Sequence, residues 1–212
     1  NINQISNLKI LYNSIKMSND KFIDIIYDYW FGYKTDFERW FKNGQMYDSI
    51  ITRKFNDILK AAENDSLRHW GDTKKGFVSY LLLMDQFSRH IYRNSSKSYQ
   101  NDNKSVEFMR THLGKYIDDL SAIELLFVLM PLQHSEHLQD QLDGVFILET
   151  LLKSTTLKSE VNILNDALTH QKGHYKVIKQ FKRFPKRNQF FDNRVTTKEE
   201  DSYIKSSPNV PY

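Results

Sequence analysis

Thr73-Lys74-Lys75-Gly76-Phe77-Val78-Ser79-Tyr80-Leu81-Leu82-Leu83-Met84-Asp85-Gln86-Phe87-Ser88-Arg89-His90-Ile91 is the stretch that decides the fold class. Thr73 opens it as a helix start, and apolar side chains then follow on almost every face from Phe77 onward. That pattern predicts a central helix buried all round, because a half-buried strand would alternate polar and apolar residues. Asp85 falls one turn after Leu81 and Leu82, so its carboxylate is drawn inward and needs a partner. Arg89, four residues on, is within reach. The pair reads either as a structural tie between helices or as a site carboxylate held by an arginine.

Outward from this helix the same period recurs. Asp48 opens a segment with Ile51, Phe55, Ile58 and Ala62 on one stripe. Ser121 with Glu124, and Thr196 with Glu199, have capping-box spacing. The expected helices are 18–31, 48–64, 73–92, 97–113, 121–130, 133–153, 160–183 and 197–205, with Pro131 separating two of them. No run alternates as a strand would. Short polar turns between long helices predict an all-α protein of antiparallel helix pairs, stacked as a bundle or an α-α superhelix. Ile5, Leu8, Tyr12 and Ile15 give residues 1–20 the spacing of a helical extension, and residues 21–212 read as one all-helical domain.

The chain has 212 residues, 14% of them aromatic, with only 7 Gly and 4 Pro, which suits a bulky core and short connections. The absence of cysteine excludes disulfides, thiolate metal sites and a cysteine nucleophile; it fits a reducing compartment, and a cytoplasmic location is expected. Residue 1 is Asn and not Met, so a leader removed earlier is compatible with the sequence. The longest apolar run, Leu125 to Leu132, is shorter than the roughly 20 residues that cross a bilayer. Thirty basic against 26 acidic side chains give a net charge of +4, too mild for a polyanion binder.

Polar residues interrupt the apolar stripes at a few places. Leu138, Val145, Leu148 and Leu152 form one stripe, and stepping back along it reaches Gln141 and His134. Glu136, Asp140 and Asp143 fall on another face, where solvation is the simplest account. His174 continues the stripe of Ala167, Gln171, Ile178 and Phe181; if the two helices form a hairpin, it lies about 7 Å along the axis from the level of His134. Each histidine reads either as a hydrogen-bonded core residue or as a member of a shared pocket. Lys176, Lys179, Lys182, Arg183, Lys186, Arg187 and Arg194, interleaved with Phe181, Phe184, Phe190 and Phe191, suit a helix C-terminus, an anion-binding wall or a nucleic-acid patch. His134 with His137, and His170 with His174, have chelating spacing, but no HExxH-type motif accompanies them. No metal site is assigned and no cofactor is implied.

These positions lie within a set of longer segments: Tyr29-Trp30-Phe31-Gly32, Asp85 through Arg93, Met130-Pro131-Leu132-Gln133-His134-Ser135-Glu136, Asp140-Gln141, and Arg183-Phe184-Pro185-Lys186-Arg187-Asn188. In content and order they resemble the bacterial family called domain of unknown function 924, from about Lys21 to the C-terminus. The resemblance implies a tetratricopeptide-like helical fold and no established activity. It matches the family pattern at Asp85, Gln86, Arg89, Tyr92, Arg93, His134, Ser135, Glu136, Asp140, Gln141, His174, Arg183, Arg187 and Asn188. It departs at Ser88, where proline is usual, and at His90, His137 and Lys186, where asparagine, aspartate and histidine are usual. The departure at His137 weakens a metal reading that needs it.

The candidate cleft is therefore Asp85, Gln86, Arg89, Arg93, His134, Glu136, Gln141, His174, Arg183, Arg187 and Asn188, with Asp85, Arg89, His134, His174 and Arg183 expected to converge. The preferred function is a helical scaffold binding a peptide, a protein partner or a small anionic ligand through Arg89, Arg93, Arg183 and Arg187. The alternative is an enzyme using His134 or His174 with Glu136 or Asp85 as general acid and base. Neither a nucleophile motif nor a Gly-rich phosphate loop is present, and the charge balance argues against nucleic acid.

Overall fold

The computed structural model describes residues 19–32 and 40–207. The stripe of Ile5, Leu8, Tyr12 and Ile15, and with it most of the expected 1–20 extension, lies outside the described residues. Among the described residues the regular structure is helical and no strand occurs, so the protein is all-α. The chain divides into two compact units, Asn1–Arg93 and Asn94–Tyr212.

The first unit contains α1 (19–31), α2 (Asp48–Glu63) and α3, a helical run made of Lys74–Leu81, a π turn over Leu82–Phe87, and Ser88–Ile91. On α2 the expected stripe, with Leu59 added, is the buried face. Thr73 caps α3 by accepting the Gly76 N–H at 3.1 Å. A Cβ on Gly76 would stand 2.3 Å from the Trp70 carbonyl oxygen, so only glycine lets the preceding 3-10 turn (Arg68–Asp72) meet the helix this closely. Along α3 every residue from Gly76 to Asp85 is buried, as the apolar run demands. Phe87 anchors an aromatic core, 4.7 Å from Phe55 and 5.4 Å from Trp30 between ring centroids. Burial of one such ring contributes roughly 2–3 kcal/mol.

The π turn is a feature the apolar pattern does not announce. Ser88 N–H reaches the Leu83 carbonyl five residues back, and Ser88 Oγ donates to the Met84 carbonyl at 2.7 Å. An extra residue is thereby fitted into one turn at Asp85 and Gln86, a distortion often found at functional positions.

The second unit contains α4 (Asp102–Tyr116), α5 (Ala122–His134), α6 (Leu138–Ser154), α7 (Lys158–Phe181) and α8 (Lys198–Ser206). Helix α5 is buried on all sides from Leu125 to Gln133. The α6–α7 hairpin packs on it. Ser121 and Glu124 form the expected capping box.

Four boundaries differ from the sequence reading. Pro131 does not end a helix: α5 continues through it to His134. Proline there withholds one N–H from the Phe127 carbonyl, but the buried side chains around it hold the backbone helical. The break falls instead at Ser135, whose backbone is extended. His134 therefore belongs to the end of α5 and not to the stripe of α6. The segment expected as 97–113 is a 3-10 turn (Ser96–Tyr99) followed by α4. Helix α7 stops at Phe181 because Lys182 turns left-handed, with φ of 62°. The last capping box is Thr197 with Glu200, one residue beyond Thr196 and Glu199. Both registers have the required spacing, and Glu200 prevails because it is buried against other partners as well.

Candidate functional site

Asp85, Gln86, Arg89 and Arg93 lie in the first unit, on and just after the π turn. Asp85 is 1% exposed and accepts from Gln86 Nε2 at 2.5 Å and from Arg89 Nη2 at 3.3 Å, so the expected Asp85–Arg89 tie exists. Arg93 is turned to a different carboxylate. It holds Asp48, the first residue of α2, through Nε and through Nη2 at 2.8 Å, while His90 Nδ1 lies 2.7 Å from the same group. Burial acts to raise the Asp48 carboxyl, but Arg93 and His90 outweigh it and hold the group below the ordinary carboxylate range. Tyr92 donates to Glu63 at 3.2 Å, and burial together with that carboxylate pushes its phenol up to about 12.

In the second unit the junction of α5, α6 and α7 is a buried polar seam. Gln141 is fully buried, and its Nε2 donates to the carbonyls of Leu132 at 3.0 Å, Gln133 at 2.8 Å and Ser135 at 2.7 Å. It thus caps the C-terminal end of α5, whose last carbonyls lack helical donors. Gln171 on α7, also fully buried, donates to Gln141 Oε1 at 2.7 Å. His174 donates its Nδ1–H to the Gln133 carbonyl at 2.7 Å, which fixes its tautomer, and its ring packs edge-on against Phe184 at 5.3 Å. The His134 ring lies 6.3 Å from that of His174 between centroids. The two histidines meet, but across α5 and α7 and not within the α6–α7 hairpin from which the sequence argument places them.

Glu136, Arg183, Arg187 and Asn188 are engaged nearby. Glu136 accepts the Phe184 N–H at 2.9 Å and a two-pronged contact from Arg194 at 2.9 and 2.7 Å. Burial acts to raise its carboxyl, while Arg194 and the Phe184 N–H bring it below the usual range. Arg187 is 9% exposed, stacked between Tyr99 and Phe184 at 4.3 and 4.4 Å, with Asp102 at 3.0 Å and the His134 carbonyl at 2.9 Å. Arg183 faces Glu200 through Nε at 2.6 Å and Nη2 at 2.9 Å, and Asn188 reaches the same carboxylate at 3.3 Å. The Arg183 contact pulls Glu200 down to about 2.

The expected solvated acidic face is not one. Glu136 precedes α6 and is clamped by Arg194, while Asp140 accepts from Ser135 Oγ at 2.6 Å and from Arg110 at 2.8 Å. Asp143 also takes Arg110, from α4. The arginines of the basic run are neutralised mainly by Glu200, Asp102 and Glu136, which weakens the run as a phosphate-binding surface. Generic DNA or RNA is expected to bind no tighter than micromolar at physiological salt; a filter-binding assay with sub-micromolar affinity and a steep salt slope would contradict this.

Burial pushes His174 down to about 2, helped by the neighbouring His134. The folded chain thus refuses a proton that the unfolded chain accepts near its ordinary value of 6.5. Stability is expected to be complete above that value and to fall as pH drops through it, by at most about 1.4 kcal/mol per pH unit from this group. Urea titrations between pH 7 and pH 5 check this: His174→Gln should flatten the acid limb, and an unchanged slope would remove His174 as its cause.

Sequence reasoning did not pair Asp102 with Arg187, Glu200 with Arg183, Asp48 with Arg93, or Gln171 with Gln141. Of these residues Gln141 and Gln171 carried a signal of burial, as polar residues on the apolar stripes of α6 and α7. The seam, the ion-paired C-terminal segment and the absence of strands among the described residues define an all-helical protein. A model of the family described as bacterial protein of unknown function, DUF924, matches residues 26–208, and the chain belongs to that family. A solved structure of a protein of unknown function from Agrobacterium tumefaciens is 24% identical, covering 88% of this chain and 98% of its own, with a TM-score of 0.76. That likeness concerns the fold. No curated protein matches the chain.

Proposed function

We propose that the protein is a helical scaffold that binds a protein or peptide partner and does not act as a catalyst. One observation carries this reading. The arginines that could grasp an anion are each paired with a carboxylate: Arg89 with Asp85, Arg93 with Asp48, Arg183 with Glu200 and Arg187 with Asp102. An anionic ligand would have to displace a carboxylate from each arginine it used, which disfavours the small-anion version of the scaffold. General acid–base work requires a group that titrates near the working pH. His174, near 2, is too weak a base, and Glu136, held ionised by Arg194, is too weak a proton donor.

Native mass spectrometry of the chain purified gently from its source cells tests this. A stoichiometric mass increment from another polypeptide is expected, and His174→Gln, an internal change, should leave it in place. A bound metabolite whose turnover stops in His134→Ala would end the scaffold reading in favour of an enzyme.

A further inference from the structure

Arg53, which lies outside the family-matching segments, departs from the pattern of paired arginines. Among the described residues every other arginine has a carboxylate partner, Arg68 with Asp65, Arg110 with Asp140 and Arg194 with Glu136 included. Arg53 has none among them, and neither does Lys54 beside it, whose ammonium lies 5.6 Å from the centre of the Tyr29 ring. Both are exposed on α2, where they line a groove of about 400 Å³ between α2 and the start of α1. An unpaired arginine on a convex surface is satisfied by water and signals nothing; two unpaired cations on the wall of a groove are a place for an anion. Phe22 of α1 and Ile58 of α2 give the same groove an apolar lining. Its other polar groups are milder. Thr52 spends its hydroxyl on the Asp48 carbonyl at 2.7 Å, and Asp57 accepts from Asn56 Nδ2 at 3.1 Å with Lys60 at 3.8 Å. Asn19 adds a second amide, from α1.

We infer, building on the scaffold reading above, that this groove is where the partner docks, and that it takes a peptide segment carrying an Asp or Glu side chain next to an apolar one. The carboxylate meets Arg53 and Lys54 without displacing another carboxylate, a cost that each of the paired arginines would impose. The apolar neighbour covers Phe22 and Ile58. A peptide backbone has both N–H and C=O groups, which match the Asp57 acceptor and the amides of Asn19 and Asn56. A nucleic-acid strand presents phosphates in series, and the Asp57 carboxylate, 98% exposed at its side chain, repels them.

Fluorescence polarisation of short labelled peptides with the full chain tests this. Peptides presenting Glu beside Leu or Phe are expected to bind at least about 10-fold tighter than the same peptides with Gln in place of Glu, the margin of one charge-assisted contact. Arg53→Gln should remove that preference and Arg53→Lys should keep part of it, both with the melting temperature of the wild type because the side chain is exposed. No binding up to about 1 mM peptide, equal binding of the Glu and Gln peptides, a preference that survives in Arg53→Gln, or tighter binding of an oligodeoxythymidylate than of the Glu peptides overturns the inference. Native mass spectrometry separates this failure from that of the scaffold reading. A partner polypeptide fully retained by Arg53→Gln removes the groove and leaves the scaffold, whereas a wild type without a partner removes both.

Discussion

Arg187→Ala is expected to lower the stability of the second unit by about 3–5 kcal/mol, the range found when one member of a buried ion pair is removed. Three losses combine at this residue. The Asp102 carboxylate, 13% exposed at its side chain, keeps its burial and loses the guanidinium 3.0 Å away. The His134 carbonyl at the end of α5 loses a donor at 2.9 Å, where a helix has no donor of its own to offer. Tyr99 and Phe184 lose the flat cation packed between them. Arg187→Lys should recover only part of this, because a single ammonium cannot reach Asp102 and the carbonyl while filling the slot between the rings. Equilibrium urea unfolding of the three proteins gives the values. An Arg187→Ala loss below about 1 kcal/mol would show that the cluster is a surface contact and not the tie that holds the Pro185–Phe190 turn to the start of α4.

The all-α class was legible because α3 and α2 show their faces in local spacing, and Thr73 and Ser121 mark helix starts by side-chain chemistry alone. Pro131 misleads for a physical reason: local rules count the missing N–H, whereas the buried neighbours that keep α5 helical are supplied by other helices. The site was legible only in part. Gln141, Gln171 and His174 are visible as polar residues on apolar stripes, yet their acceptors are mostly backbone carbonyls, and a carbonyl carries no mark in a sequence. Partners such as Asp102 for Arg187 are separated by 85 residues, beyond the reach of any spacing rule. Residues that look like a cleft in the sequence are, within the second unit, largely the ties between its segments.

Gly144→Ala shows how tightly the seam is set. In an exposed helix the change would stabilise by about 1 kcal/mol through propensity. Here a Cβ on residue 144 would stand 2.7, 2.8 and 2.9 Å from the amide atoms of Gln171, all closer than a side chain tolerates. Gln171 is the end of a flexible side chain, but it is fully buried and its Nε2 bond to Gln141 Oε1, at 2.7 Å, holds it in place. Moving it breaks that bond and leaves buried donors and acceptors short of partners, at roughly 1–3 kcal/mol each. The seam therefore outweighs propensity, and a net loss of about 2 kcal/mol is expected. Gly144→Ala combined with Gln171→Ala should cost less than the two single changes added together, because the second removes the atoms that the new methyl would strike. Strict additivity in that cycle, or a Gly144→Ala protein as stable as the wild type, would mean that Gln171 has room to move and that the α6–α7 contact is looser than its distances imply.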